Sequence, residues 1–342
     1  MNVLRQVCCG FLMSVPVLSA GQQAAPGEDG RIQLVVVVTD KSGQPVPGLE
    51  TKDFTVKDTG RVVKISSFHA VDGSLAGAPP TKVVLVLDAV NMGFTQAAFA
   101  RAEMVKYLRQ NGGHLAYPVS IYLFGNQGTD MHPPMSADGN ALADGLAKAV
   151  AQMRSVASSR GEYGAVDRFS QSIKTLVSIV GYESDQPGRK LVIWAGSGWP
   201  MLDWRTLQMS DKAQKQIFDQ LVEMTNWTRE GQVALYSISA GELDHGMSQY
   251  KEFLKGVKSV GKMNPSNLAL KVLATESGGN VLGPDNDLAG QIATAVEDAK
   301  TYYTISFDPP GADKVNEYHE LKVEVSRPGV TVRTSSGYYS RP

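Results

Sequence analysis

The stretch TKVVLVLDAVNMGFTQ, residues 81–96, runs from an apolar segment directly into an acidic side chain. Val83 to Leu87 are all apolar, which is typical of a strand buried on both faces, and Asp88 follows at its end. A carboxylate at the tip of a buried strand needs polar partners, because burying an unpaired charge costs free energy. Asp88 is therefore a metal ligand, a catalytic group or the remnant of a lost site.

Short apolar runs alternate with helical patterns along residues 81–300. The runs are VVLVL (83–87), VSIYLF (119–124), KLVIWA (190–195), VALYSI (233–238) and NVL (280–282). Strands that are apolar on both faces and are separated by helices are typical of a parallel sheet covered on both sides. The sequence therefore predicts an α/β fold with a central, mostly parallel sheet.

The predicted helices show apolar stripes. In TQAAFARAEMVKYLRQN, residues 95–111, apolar side chains recur three and four positions apart, which predicts an amphipathic helix. Thr95 is expected to cap its start, and Gly112-Gly113 to end it. A similar stripe predicts a helix over 211–230. The other helical patterns cover 138–153, 166–180, 266–277 and 286–300.

Both ends of the chain carry strand patterns. Residues 31–72 contain β-branched runs separated by turn residues, and residues 301–342 return to alternating apolar and polar side chains. The stretch GSLAGAPP, residues 73–80, is typical of a linker. About 40 residues are too few for a separate core. We therefore predict that the two end segments pair into one small β-sandwich, with the α/β domain (81–300) inserted between them.

The first residues have the pattern of a secretory signal peptide, predicted over residues 1–20. The apolar stretch VCCGFLMSVPVLSA (7–20) follows a positive charge, ends on small residues and is too short to span a bilayer. A polar linker, 21–30, comes next, and a buried first helix is the alternative. Cys8 and Cys9, the two cysteines, lie inside the signal, so the mature chain would hold no disulfide. We expect an exported protein, periplasmic or secreted, without a transmembrane anchor in the mature chain.

Composition and charge argue against two classes of partner. The chain has 33 basic and 34 acidic side chains and a formal net charge of −1. Nucleic-acid binding needs a concentrated basic face, and a polybasic membrane patch needs a run of like charges. We therefore expect neither nucleic acid nor an anionic membrane surface as the main partner.

Six segments resemble one protein family in the same order. Residues 81–300 resemble a von Willebrand factor A (VWA) domain, and the whole chain resembles the exported VWFA-related proteins of acidobacteria. The resemblance implies a doubly wound α/β fold that binds other proteins. The segments are VTDKSGQPVPGLETKDFTVKDTGRVVKISSF (38–68), VVLVLDAVN (83–91), GRKLVIWAGSGWP (188–200), VALYSISA (233–240), LATESGGNVLGPDNDLAGQIATAVEDAKTYYTISFDPP (273–310) and LKVEVSRPGVTVRTSSGYY (321–339).

The resemblance also implies a metal-ion-dependent adhesion site at the carboxyl edge of the sheet, where open α/β sheets hold ligands. Such a site uses Asp-x-Ser-x-Ser after the first strand, a Thr from a later loop and an Asp after the fourth strand, because Mg²⁺ prefers hard oxygen ligands. Asp88 matches the first position, but the Ser positions fall on Val90 and Met92 and the later Asp on Ala195. The Thr position has no assignment. We therefore expect a degenerate site.

Two roles remain for Asp88. In the favoured one, its carboxylate caps backbone N–H groups of the following loop or accepts a hydrogen bond from Asn91, and no metal or other cofactor is bound. In the alternative, Asn91, Thr95 or Ser197 supplies substitute oxygens and Mg²⁺ binds at Asp88.

Catalytic chemistry has little support in the sequence. Ser197 follows a predicted strand, but a nucleophile elbow needs glycine two residues on either side, where Ala195 and Trp199 stand. The histidines show no pair at metal-ligand spacing; they are His69, His114, His132, His245 and His319. We predict that the protein is not an enzyme, with an extracytoplasmic serine hydrolase using Ser197 as the alternative.

Aromatic side chains follow two of the predicted strands at the expected carboxyl edge, namely Phe94, Trp199 and Trp204. Such side chains either anchor a protein interface or cover the end of their own core. The sequence thus predicts an exported, adhesion-type protein that binds a protein or peptide through these loops, without a metal or with a degenerate site. The candidate ligand-binding residues are Asp88, Asn91, Phe94, Thr95, Ser197 and Trp199.

Overall fold

The structure is a computed structural model. It describes residues 30–73, 75, 77–125, 128–151, 162–200, 202, 210–240 and 249–341. The predicted signal peptide (1–20), nearly all of the linker that follows it, and Trp204 lie outside these residues. None of the helices in the described part of the chain has the length and apolar character needed to cross a bilayer.

The described residues form strands and helices that follow the predicted alternation closely. The helices are α1 (Phe94–Leu108), α2 (Gly139–Ala151), α3 (Glu162–Ser184), α4 (Asp211–Glu230), α5 (Leu270–Glu276) and α6 (Leu288–Glu297). The strands are β1 (Ile32–Thr39), β2 (Phe54–Asp58), β3 (Arg61–Val63), β4 (Ile65–Asp72), β5 (Thr81–Asp88), β6 (His114–Gly125), β7 (Gly128–Asp138), β8 (Arg189–Ala195), β9 (Val233–Ala240), β10 (Asn280–Asp285), β11 (Thr301–Phe307), β12 (Tyr318–Val325), β13 (Thr331–Arg333) and β14 (Gly337–Tyr339).

A six-stranded sheet lies at the centre, in the order β7-β6-β5-β8-β9-β10. Its pairs are parallel except β6 with β7. Numbered within this sheet, the strands run 3-2-1-4-5-6, the order of a doubly wound fold, and the direction of winding reverses between β5 and β8. The predicted fold class is therefore confirmed. The patterns did not predict β7, whose sequence contains Pro133-Pro134; proline is tolerated at such an edge position because an edge strand can lack one N–H donor.

Both faces of the central sheet are covered by helices. Val83, Leu85 and Leu87 of β5 point to the side that packs against α1, α2 and α6. Val84 and Val86 point to the other side, which packs against α3, α4 and α5. This alternation explains the continuous apolar run of β5, because each of its side chains enters one of two cores.

Helix α1 begins one residue before the sequence-based prediction. Gly93 occupies the N-cap position, so Thr95 lies inside the first turn and does not cap the helix. Gln96 partly replaces the cap, since its side-chain oxygen accepts a hydrogen bond from the N–H of Gly93 at 3.1 Å. The expectation for Thr95 was wrong because the chain turns into the helix immediately after the extended residue Gly93.

The two end segments form a pair of four-stranded antiparallel sheets, ordered β13-β1-β11-β4 and β14-β12-β2-β3. Strand β1 pairs with β11, and β2 pairs with β12, so each sheet contains strands from both ends of the chain. Side chains of both sheets share one core, which includes Leu34, Phe54, Tyr303 and Leu321. The β-sandwich is thus built from strands of both end segments, as the sequence predicted.

Asp298, just after α6, joins the sandwich to the central sheet. Its carboxylate accepts two hydrogen bonds from the guanidinium of Arg333 in β13, at 2.6 and 2.7 Å, and one from the hydroxyl of Tyr236 in β9, at 2.6 Å. Its backbone oxygen accepts from Arg189, the first residue of β8. Asp298 is 3% exposed, so little water screens these contacts.

Replacing Asp298 by alanine should lower the free energy of unfolding by about 3 kcal/mol, because it leaves the Arg333 guanidinium without its carboxylate in a mostly buried position. Urea denaturation measures the loss. The matched control is Glu297→Ala, which removes a partly exposed partner of Lys300 and should cost under about 1 kcal/mol. Equal losses for the two variants would contradict the assignment of this junction to Asp298.

Glu276 lies at a second contact between the domains. Its backbone oxygen accepts from the N–H of Ser336, while the rings of Tyr318 and Tyr339 pack against each other nearby. Burial raises the pKa of Glu276 to about 8. The folded state therefore holds a proton that the unfolded chain releases, and stability falls as the pH rises from about 4.5 to about 8.

Glu276→Gln should remove this part of the pH dependence. We expect the melting temperature of the variant to exceed that of the wild type by an amount that grows between about pH 5 and about pH 9, since the ionised carboxylate destabilises only the parent protein. Thermal melts of both proteins over that range measure the difference. A constant difference at every pH would show that Glu276 has an ordinary pKa.

Candidate functional site

The candidate site lies where β5 and β8 end side by side. Leu87 and Ala195 are register partners in the parallel pair, so the loops after both strands leave the sheet at the same edge. The reversal of winding between these strands opens a crevice there, and this is the usual ligand position in open α/β sheets. Asp88, the last residue of β5, lies at this edge and is 0% exposed.

Four N–H groups of the chain surround the Asp88 carboxylate. Oδ1 accepts from the backbone N–H of Val90 at 3.1 Å and of Asn91 at 2.9 Å. Oδ2 accepts from Asn91 Nδ2 at 2.8 Å and from the indole N–H of Trp194 at 2.9 Å. A carboxylate offers about four lone-pair positions, so these donors use its accepting capacity. Both contacts predicted for the Asp88 carboxylate, the cap on the following loop and the bond from Asn91, are present.

Burial and hydrogen bonding act on Asp88 in opposite directions. Burial raises its pKa above the ordinary value and is the larger effect. The donors on Asn91, Trp194 and Val90 favour the ionised form and lower the pKa in part. The carboxylate is engaged on both oxygens and shielded from water, so it is poorly placed to act as a general base.

Trp194 and Ser172 belong to the site although the sequence analysis missed them. Trp194 is fully buried in β8 and reaches Asp88 from the neighbouring strand. Ser172 of α3 accepts a hydrogen bond from Asn91 Nδ2 at 2.8 Å, which holds the Asn91 amide in place. A tryptophan inside the otherwise aliphatic run LVIWA (191–195) was a usable signal, because a buried indole N–H usually finds an acceptor.

The two positions that would supply serine oxygens after Asp88 contribute none. Val90 packs into the core, and Met92 packs against the opposite face. Gly196 lies so close to Asp88 that a Cβ there would stand 3.0 Å from Asp88 Cβ and 3.3 Å from Oδ2. Among the described residues, no group of three acidic, histidine or cysteine side chains could hold a metal ion. A cation at Asp88 would have to displace several of the hydrogen bonds above.

The other candidate residues divide into exposed and buried ones. Phe94 is 76% exposed at the start of α1, and Thr95 and Ser197 are also exposed. Trp199 is 7% exposed and packs edge-on against Trp194, with ring centroids 5.1 Å apart. It therefore covers the end of its own core in this structure. No hydrogen bond joins Thr95 or Ser197 to Asp88 in the described part of the chain.

Ser197 links the two loops weakly. Its hydroxyl lies 3.5 Å from Gln96 Oε1 on α1, so the loop after β8 meets the first turn of the helix after β5. Among the hydrogen bonds of the described residues, none connects Ser197 to a histidine. The arrangement can present uncharged side chains to a ligand, whereas a nucleophile would require a base that these contacts do not provide.

Comparisons with known proteins were made by sequence and by structure. No family model matches the chain, and no curated protein sequence matches it. The structure is similar to the manganese-loaded TRAP protein of Plasmodium vivax, at 11% identity and a TM-score of 0.35, over 78% of this chain and 96% of that one. It is also similar to the SpRpn10 VWA domain, at 10% identity and a TM-score of 0.33, over 63% and 93%.

The pilus adhesin SpaC of Lactobacillus rhamnosus GG, in its open conformation, is similar at 9% identity and a TM-score of 0.38, over 84% of this chain and 48% of the adhesin. The human COPII-coat protein Sec24c is similar at 8% identity and a TM-score of 0.37, over 80% of this chain and 46% of Sec24c. This chain therefore spans about half the length of the adhesin and of Sec24c. Values this low add nothing about function. The strand order itself defines the class: a doubly wound α/β domain, joined to an antiparallel β-sandwich, with a crevice at its switch point.

Trp194→Phe should lower the free energy of unfolding by about 2 kcal/mol more than Trp199→Phe. Both substitutions shrink a buried ring, but only the first takes a donor from the Asp88 carboxylate, since Trp199 Nε1 has no partner among the described residues. Chemical denaturation of the two variants in parallel gives the difference. If both lose the same stability, the indole of Trp194 does not compensate the buried charge.

Proposed function

We propose that the protein is a non-enzymatic, adhesion-type binding protein that recognises a protein or peptide through the loops after β5 and β8. The observation that carries the proposal is the hydrogen-bonded state of Asp88, whose four donors all belong to the chain itself. The crevice is thereby held in shape without a cation. We interpret it as a degenerate metal-ion-dependent adhesion site that still offers a binding edge.

The exposed side chains of this edge support a binding role. Phe94 extends from the first turn of α1 with 76% of its surface exposed. Large aromatic side chains contribute much of the energy of protein interfaces, because they bury a large area at a low cost in conformational entropy. Ser197, on the facing loop, adds a hydroxyl close to Gln96. Together they offer a partner one apolar anchor and several uncharged polar groups.

The place of action is also a proposal. The pattern of residues 1–20 and the lack of cysteine beyond Cys9 suit a protein exported to the periplasm or secreted. This agrees with the resemblance to exported VWFA-related proteins. An extracytoplasmic partner is therefore the first to look for.

One observation favours a second candidate function, a metal-dependent VWA module with rearranged ligands. Asn91 Oδ1 is buried beside Asp88 and has no hydrogen-bond partner among the described residues. An amide oxygen is an acceptable ligand for Mg²⁺. Such a module would still lack hydroxyl ligands from Val90 and Met92, so we favour the metal-free function.

The test is capture of partners from the envelope and secreted fractions of the source cells by the full chain. We expect partners that are retained in EDTA and lost with Phe94→Ser. Val62→Ser is the matched control, because Val62 is similarly exposed, at 69%, on the sandwich. Partners that appear only with added Mg²⁺ would support the metal-dependent module. Capture that is equal for all three proteins would show that the crevice edge is not the binding surface.

A further inference from the structure

A basic segment lies in the connection between β9 and α5. Residues 249–263, called here the lysine segment, read QYKEFLKGVKSVGKM and carry a formal net charge of +3 on a chain whose total is −1. Glu242 and Asp244 precede the segment, outside the described residues, and the charge stays positive when they are counted. The lysines are Lys251, Lys255, Lys258 and Lys262.

Buried side chains and hydrogen bonds hold the backbone of the lysine segment in place. Tyr250, Val257 and Met263 are buried, so they attach the segment to the protein along its length. The backbone oxygen of Val257 accepts a hydrogen bond from the hydroxyl of Tyr339 at 2.9 Å. The backbone oxygen of Met263 accepts from Gln214 Nε2 at 3.3 Å. The segment is therefore a fixed support for the side chains that point outward.

The lysines of this segment are the side chains that point outward. All four are exposed, and none forms an ion pair among the residues that the structure describes. By contrast, Lys106, Lys215 and Lys300 each contact a carboxylate of their own helix or turn. Neighbouring lysines of the segment are at most four positions apart, which places their Cα atoms within about 14 Å of each other. At about 0.01 M salt the Debye length is about 30 Å, so the fields of the four ammonium groups add.

Two kinds of anionic surface could meet these ammonium groups, an acidic protein segment and an anionic bilayer. Stable attachment to a bilayer usually combines charge with inserted apolar groups. The most exposed large apolar side chains of the described residues all lie outside the lysine segment. The segment also has no arginine, the residue best suited to bidentate contacts with phosphate, whereas a lysine ammonium pairs with a carboxylate in many orientations. These observations favour carboxylates on a protein.

We propose that the lysine segment is a docking surface for an acidic, extended segment of a partner protein. This goes beyond the proposed function, because the surface belongs to a different connection of the fold and binds through charge. Each exposed ion pair contributes little by itself, so the partner segment must carry several Asp or Glu side chains. Such a contact raises the rate of association and weakens as salt is added.

The experiment measures the binding of a fluorescent peptide of alternating Glu and Ser to the full chain by fluorescence anisotropy. We expect binding at about 0.02 M salt that weakens about tenfold or more at about 0.5 M. A peptide of alternating Gln and Ser should not bind.

Two variants with the same change in charge locate the binding surface. The test variant combines Lys251→Gln, Lys255→Gln, Lys258→Gln and Lys262→Gln, and its affinity for the acidic peptide should fall about tenfold or more, because several ion pairs are lost at once. The control variant should change the affinity by less than about twofold. It replaces four other exposed lysines that form no ion pair among the described residues, by Lys41→Gln, Lys148→Gln, Lys174→Gln and Lys314→Gln.

Three results would overturn the inference. The acidic peptide does not bind, the two variants lose the same affinity, or vesicles of phosphatidylcholine and phosphatidylglycerol bind more tightly than the peptide and lose this binding in the test variant. The last result would identify an anionic bilayer as the partner surface. Thermal melts of both variants show whether a loss of binding reflects unfolding. Phe94→Ser should bind the acidic peptide like the wild type, so a failure here leaves the proposed function standing.

Discussion

The Asp88 carboxylate is buried at the end of a parallel strand, so its lost hydration must be replaced by other polar contacts. These contacts determine the structure of the candidate site. In water the group would be hydrated on both oxygens, and that hydration is lost at 0% exposure. A bound cation is one solution. The other is a set of N–H groups, supplied here by the following loop and by Trp194. The second solution fixes the positions of the loop after β5 and of the indole of Trp194.

Strand β8 contacts both the junction with the β-sandwich and the candidate site. At its amino end, Arg189 donates to the backbone oxygen of Asp298, which also binds the sandwich through Arg333. Near its carboxyl end, Trp194 donates to Asp88. All seven residues of the strand are buried, so it is a rigid element between the support and the crevice. The sandwich therefore holds the sheet from the end opposite to the candidate binding edge.

The sequence predicted the architecture well, because the architecture follows from local patterns. The buried runs around Val84 and Val192 and the alternation near Leu321 each report their own secondary structure. The bond from Asn91 to Asp88 was also predictable, since the two residues are only three positions apart. The bond from Trp194 to Asp88 and the bond from Asn91 to Ser172 were not, because they depend on strand register and helix placement. The burial of Trp199 likewise depends on how the loop after β8 packs this ring against Trp194.

Strands from the two end segments pair in the sandwich although they are synthesised at very different times. The hydroxyl of Tyr303 donates to the backbone oxygen of Val46 across 257 positions of sequence. Strands β1 to β4 therefore leave the ribosome long before their partners β11 and β12 exist. The strands and helices of the α/β domain follow one another along the chain, so this domain can fold before β11 and β12 are made. Until then the edges of β1 to β4 remain unpaired. A nascent chain of this kind depends on being kept from aggregation until strands β11 to β14 emerge.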